Sequence, residues 1–494
     1  MSTSAYNNLV KRGSEIALYN STSALLGWDQ ETCLPRKGVA YRAEQCAFMK
    51  GRSHRLFCAP EVGRWISECE NGDAGGDPVW SANVRDWRWS YDRATKLPEE
   101  LVEKFERVRA HAMSAWAGAR QENNFTEFKP HLETIIDLSR QKADLFGYND
   151  TPYDALIEDY ERGTSTADVA KLFEELKPQL REIGLAAARR SESVPGDMLS
   201  AHYPEVEQRD FNEKVARAFG FDFEAGRIDT AVHPFCSGLA PGDTRLTTRY
   251  DEQDFCSSLY GVLHETGHGL YEQGLLPEHH GTPAGNAVSL GIHESQSRLW
   301  ENHVGRQPAF WEHWFPVARE IFEPLCSRQV DEVIAFTTRS QPSLIRVEAD
   351  EATYDLHIVL RFEIERDLIT GDLAVADLPE AWNAKFEEFF GIRVPSDTEG
   401  CLQDIHWSMG ALGYFPTYTI GNLGAAQLFA KAHEQLPGMD DELSSGNYAR
   451  LLEWLRCNIH AQGGQLLPAD LMRAATGEDL SPRYHLEHLR SRYL

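Results

Sequence analysis

The spacing of apolar residues constrains this chain most. In LPEELVEKFERVRAHAMSAWAGARQ (97–121), Leu101, Phe105, Val108 and Ala112 recur at helical intervals with charges opposite, the pattern of an amphipathic helix with one face to bury. TSTADVAKLFEELKPQLREIGLAAAR (164–189) repeats that pattern. There Ser165, followed three residues later by Asp168, predicts a helix start, because such side chains satisfy the amides a first turn leaves free. LPEAWNAKFEEFFGI (378–392) and SSGNYARLLEWLRCNIHAQG (444–463) add two more helices. Only about 228–250 reads as extended: RIDTAVHPF and DTRLTTRY are rich in β-branched residues and are joined by the turn-rich link CSGLAPG. ENGDAGGDP (70–78) and RRSESVPGDM (189–198) read as surface loops. No repeat or low-complexity linker interrupts the pattern, so a mainly α chain is expected, a single unit with a small strand insert near its middle.

With 494 residues, 42% of them apolar and 25% charged, the chain is long and apolar enough to bury a sizeable core. Its 76 acidic residues outnumber 49 basic ones, a formal charge of −27. Such a surface repels phosphate backbones, so nucleic-acid binding is not expected. No run of about 18 apolar residues occurs, so no membrane-spanning helix is expected. The first thirty residues lack the basic, apolar and small-residue regions of a signal peptide. The nine cysteines are scattered without a CxxC pair, which predicts reduced, mostly buried thiols in a cytoplasmic protein.

Chemistry enters with LHETGHGLYEQG (263–274). On a helix spanning DFCSSLYGVLHETGHGLYEQG (254–274), His264 and His268 are i and i+4 and project from one face a turn apart. Two imidazoles so placed can bind one Zn²⁺. Glu265 lies roughly 100° around the helix from His264, by 3.6-residue geometry. It is therefore placed to act on a water at the metal as a general base. A solvated helix face with two ordinary histidines would show the same spacing. Against that reading stand Gly261, Gly267, Gly269 and Gly274, each of which weakens a helix by about 1 kcal/mol relative to Ala. They make sense where something must approach the helix closely. A third ligand is expected in NAVSLGIHESQSRLWENH (286–303), which would return as a second helix beside the first. Glu294 is the favoured donor, with His293, His279 and His280 as alternatives.

Six segments in order, HPF (233–235), DTRLT (243–247), HETGH (264–268), HESQ (293–296), IRVEAD (345–350) and GCLQDIHW (400–407), resemble the thermostable carboxypeptidase 1 family, the M32 metallocarboxypeptidases. WDQETCLP (28–35) is also similar to the N-terminal segment of that family. The resemblance implies a neurolysin-like helical fold with a deep active-site groove and a small antiparallel sheet beside the site. It implies one M32-like catalytic unit over 1–494, with an N-terminal helical part to about 225, motifs over 233–422 and C-terminal helices over 423–494. It also implies a homodimer that removes single residues from peptides with a free C-terminus, with broad side-chain tolerance and poor release of proline. The family's metal ligands fall on His264, His268 and Glu294, and its catalytic carboxylate on Glu265. One Zn²⁺ per subunit is expected, and Co²⁺ or Mn²⁺ would suit the same donors.

A peptidase also needs an oxyanion donor besides the metal, and His406, Tyr414 and Tyr418 are candidates. An exopeptidase must recognise a terminal carboxylate, for which the planar guanidinium of arginine is suited. Arg346 is the first choice, off the apolar stripe of a helical segment Ile345, Ala349, Ala352, Leu356; Arg245 is the alternative, unless it forms an ion pair with Asp243. His233 and Gln403 are substrate contacts on the resemblance alone, and Asp350 and Asp404 are candidates to orient a ligating histidine. Two rival readings remain: an HExxH oligoendopeptidase, which needs no Arg346, and a non-catalytic zinc site closed by Cys256.

Overall fold

The structure is a computed structural model that describes residues 2–72 and 74–494, with Ser2 and Thr3 as backbone only. Helices dominate it from Ser2–Thr32 to Pro482–Tyr493. The helix at Thr166–Ser191 begins where expected: the Ser165 side chain accepts from the Asp168 amide, and the Asp168 carboxylate answers the Ser165 amide. A one-way cap starts three further helices in or beside the motifs. Asp254 caps Phe255–Gly274, Ser289 caps Leu290–Arg298, and Asp350 caps Glu351–Thr370. Each short polar side chain satisfies amides that the first turn cannot.

The extended stretch forms three strands, β1 (Gly226–Thr230), β2 (Cys236–Ala240) and β3 (Asp243–Thr248), in the order β1-β3-β2. Two expectations are corrected here. CSGLAPG is not only a link, because its first five residues are β2. The sheet is also mixed rather than antiparallel: β2 pairs with β3 antiparallel across the Pro241–Gly242 turn, whereas β1 pairs with β3 in parallel. With β2 turned back along one edge of β3, the chain leaves the other edge to β1, running the same way as β3.

The sheet lies on the Phe255–Gly274 helix. A β-carbon at Gly269 would come within 2.9 Å of the Leu246 side chain on β3. On another side of that helix, a β-carbon at Gly267 would come within 2.4 Å of the Gln296 carbonyl oxygen. Glycine is thus required where strand and second helix press on the motif helix, and the cost in helix propensity is met by close packing. Two large apolar clusters hold the molecule, one around Glu351–Thr370 and one around Phe255–Gly274. The helix Pro416–Gln435 joins them, with Ile420 and Leu423 in the first and Ala425 and Leu428 in the second. All nine cysteines are free, but only Cys69, Cys256 and Cys401 are buried, fewer than expected. No described helix is long and apolar enough to cross a membrane.

Candidate metal centre

The motif helix and the return helix Leu290–Arg298 bring three donors together. His264 Nε2 lies 3.6 Å and His268 Nε2 3.4 Å from the same oxygen, Glu294 Oε2. Tetrahedral Zn²⁺ with bonds of about 2.0–2.1 Å separates its ligand atoms by about 3.3 Å, so each histidine stands close to that spacing from Glu294, and all three donor atoms lie within 4.8 Å of one another. Two imidazoles and one carboxylate also suit a divalent ion chemically. The other oxygen, Glu294 Oε1, accepts from Arg298 Nε at 2.8 Å. Arg298 and the two histidines outweigh burial and hold Glu294 well below the usual carboxylate range, in its ligating form.

Each imidazole is backed on its second nitrogen. Glu301 Oε2 sits 2.9 Å from His264 Nδ1. His293 Nδ1 sits 2.6 Å from His268 Nδ1, and its Nε2 is 2.8 Å from Glu272 Oε1. Partners of this kind fix the orientation and tautomer of a ligating ring. His293 therefore stands behind His268 rather than beside Glu294. His279 and His280 belong to neither group of possible metal donors among the described residues, and nor does Cys256. Glu301 comes from a single π-helical turn, Leu299–Val304, that continues the return helix. Arg298 Nη1 and Arg306 Nη2 donate to it, each at 3.2 Å. Arg298 and Glu301 were not singled out from the sequence. The signal was there: with Glu294 they form an i, i+4, i+7 series on one helical face.

Glu265 is buried, and its Oε2 has no hydrogen-bond partner in the protein. Burial pushes its carboxyl up to about 7, with His264 working against the shift. A carboxyl poised near neutrality is suited to taking and returning a proton. Burial pushes Tyr414 and Tyr418 upward too, so both are neutral hydroxyl donors. The Tyr418 hydroxyl lies 3.4 Å from His406 Nε2, and the rings of Tyr414 and Tyr418 are 5.3 Å apart.

Arg346 is not on a helix face. It sits in a short 3₁₀ turn, Arg346–Glu348, ahead of the helix Glu351–Thr370, and is only 6% exposed. The stripe read from Ile345 to Leu356 fails because Asp350 caps a helix that starts only at Glu351. Nε and Nη2 donate to Asp404 Oδ1 at 3.0 and 2.8 Å, and Nη1 donates to the Tyr354 hydroxyl at 2.9 Å. The Tyr354 ring lies 4.8 Å from the Arg298 guanidinium. A continuous set of contacts therefore runs from Glu294 through Arg298 and Tyr354 to Arg346, and the Tyr418 ring lies 5.1 Å from that last guanidinium.

Gln403 accepts from the Arg346 amide and from Arg361 and donates to the Leu344 carbonyl, which pins two loops together. Asp404 is shared by Arg346 and Arg361, and Asp350 caps its helix and takes the Ser340 hydroxyl. Neither aspartate backs a histidine of the candidate centre, contrary to expectation; Glu301 and His293 do. Arg245 forms the ion pair with Asp243, at 2.8 and 3.0 Å, and its guanidinium lies 4.3 Å from the Trp28 ring. His233 is exposed on the loop between β1 and β2.

Helical architecture, a His₂Glu donor set and a buried carboxylate beside it define a class, the HExxH metallopeptidases. Comparison with known proteins narrows the class. Residues 8–493 match the family described as carboxypeptidase Taq (M32) metallopeptidase. The chain is 42% identical over 503 residues to thermostable carboxypeptidase 1 of Thermus thermophilus, covering 99% of this chain and 98% of that one. It is 34% identical to carboxypeptidase 1 of Bacillus subtilis, covering 98% and 97%. The solved M32 carboxypeptidase from Deinococcus radiodurans R1 superposes with a TM-score of 0.96 at 38% identity, over 99% of both chains. This chain belongs to the M32 family of metallopeptidases. It is a metallocarboxypeptidase, a peptide hydrolase whose family implies a divalent metal.

Proposed function

We propose that this protein releases single amino acids from peptides with a free C-terminus, using one Zn²⁺ per subunit held by His264, His268 and Glu294. The observation that carries the reading is the convergence of those donors, both histidines within 3.6 Å of one Glu294 oxygen, beside Glu265, a buried carboxyl whose Oε2 has no partner. Co²⁺ or Mn²⁺ would serve the same donors. When bound, the ion polarises a carbonyl and makes water a stronger nucleophile at neutral pH. Glu265 takes the proton of the attacking water and passes it to the leaving amine. Tyr414, Tyr418 and His406 supply the donors for the oxyanion.

Arg346 carries the charge that selects a terminal carboxylate. Asp404 holds its Nε and Nη2 and the Tyr354 hydroxyl holds its Nη1, which fixes the plane of the guanidinium that would meet a carboxylate. His233, Gln403 and Arg245 act more remotely, the last two by holding the loops and strand in which they stand. The whole chain works as one catalytic unit with a deep groove, in a cytoplasmic homodimer of broad side-chain tolerance that releases proline poorly. The names of the relatives support the exopeptidase reading.

One synthetic peptide, prepared as free acid and as C-terminal amide, would be followed by mass spectrometry with metal and after chelation. A ladder of single-residue losses from the acid only, abolished by chelator, is the expected result, and Arg346→Ala should erase the preference. Internal fragments from both peptides would make the protein an oligoendopeptidase. Intact peptides with metal bound would leave a non-catalytic metal site.

A further inference from the structure

Among the described residues a second set of metal-type donors lies apart from the candidate metal centre. His303, Glu351 and His488 each offer one ligand atom, and those atoms lie within 4.8 Å of one another. They come from three elements: the π-helical turn Leu299–Val304, the first residue of the helix Glu351–Thr370, and the C-terminal helix Pro482–Tyr493. The rings of His303 and His488 are 4.0 Å apart, and His488 Nε2 is 2.8 Å from Glu351 Oε1.

One feature of the candidate centre recurs here, an arginine behind the carboxylate. There, one oxygen of Glu294 is held by Arg298 while the other faces two imidazoles. Here Arg492 Nη1 and the Tyr493 hydroxyl donate to Glu351 Oε2, at 2.8 and 3.0 Å, which leaves Oε1 toward His488. In both places a guanidinium fixes and orients the carboxylate from behind, as partners of metal-bound carboxylates do. His485, one turn before His488, is already paired to Asp355 Oδ2 at 2.8 Å and takes no part.

We propose that His303, Glu351 and His488 form a second divalent-metal site, for an ion that accepts imidazole and carboxylate together, Zn²⁺ first and Co²⁺ as its spectroscopic substitute. Burial holds both imidazoles below their ordinary pKa, so they are neutral and able to ligate. Arg492 outweighs burial at Glu351 and keeps it ionised. The His488 side chain, 16% exposed, gives the ion a way in. Three protein donors leave a position for water. The site would fasten the C-terminal helix to the turn that carries Glu301, and so stabilise the frame of the candidate centre without joining its chemistry.

This inference is independent of the proposed peptidase reaction, and its readout is metal content rather than cleavage. The full chain, stripped by chelation, would be titrated with Co²⁺ or Zn²⁺ alone, and bound metal counted by elemental analysis after gel filtration. Two equivalents are expected for the wild type and one for His488→Gln, whose amide still donates to Glu351. The variant His264→Ala/His268→Ala should keep one equivalent, show cobalt d–d absorption and gain thermal stability on metal addition, as a ligand that binds only the folded state must cause. Adding His488→Gln should remove all three signals. A single equivalent in the wild type, or a second that survives His488→Gln, overturns the site and leaves an ion-pair cluster only. A protein that binds two ions and cleaves no peptide would refute the reaction and leave this site standing.

Discussion

Gly421 lies directly against Glu294: a β-carbon at Gly421 would stand 2.5 Å from Glu294 Cγ. The helix Pro416–Gln435 thus presses its backbone on the carboxylate that faces both imidazoles. Gly421→Ala must displace Glu294 from this position. Metal affinity should fall at least tenfold, as when a supporting group of a metal site is lost. Gly27→Ala, where a β-carbon meets nothing within 4 Å, serves as the control. Equal dissociation constants for both variants, measured by metal titration, would show that Glu294 is not a ligand.

Glu265→Gln keeps shape and burial but removes the proton acceptor. We expect kcat to fall by about 10²–10⁴, the usual contribution of a general base, with metal content unchanged. Near-normal turnover at full metal occupancy would exclude Glu265 as the base.

Glu301→Ala removes the backing of His264 Nδ1 but no proposed ligand. The loss should appear as weaker metal binding, by about 10–100-fold, and kcat at saturating metal should change less. Glu272→Ala acts one step further out, through His293 on His268, and its effect should be smaller. The reverse order would mean that His293 carries more of the orientation than Glu301.

Glu365 offers a pH test away from the metal centre. It accepts from Trp407 Nε1, the Tyr153 hydroxyl and the Gly413 amide, and burial pushes it up to about 7 from an ordinary 4.5. The folded state therefore holds this proton more tightly than the unfolded chain. Its contribution is full below pH 4.5 and is lost as pH rises through about 7, up to about 3 kcal/mol. Glu365→Gln does not titrate. Its stability deficit against the wild type, by denaturant unfolding, should be largest near pH 5 and smaller near pH 8. A deficit that is constant or grows with pH contradicts the assignment.

The separation between what was legible and what was not follows distance along the chain. His264, Glu265 and His268 could be placed from sequence because an i, i+4 relation is set by the backbone of one helix. Ser165 and Asp168 were legible as a start signal for the same reason. Glu294 could be named from donor chemistry and family pattern together, but its aim at the two imidazoles depends on Gly267 and Gly421 letting two helices close in.

What only the tertiary structure decided lies between segments. Sequence placed Arg346 on a polar helix face; folding buries it against Asp404, 58 residues away, because a buried guanidinium needs a partner that local periodicity does not reveal. The strand order, with β1 parallel to β3, and the turn of Glu301 onto His264 are likewise choices among long-range pairings. Local spacing determined which side chains this protein can offer to a metal. Close packing of helices from distant parts of the chain decided where those side chains meet and what stands behind them, because packing energy is shared across the core and belongs to no single segment.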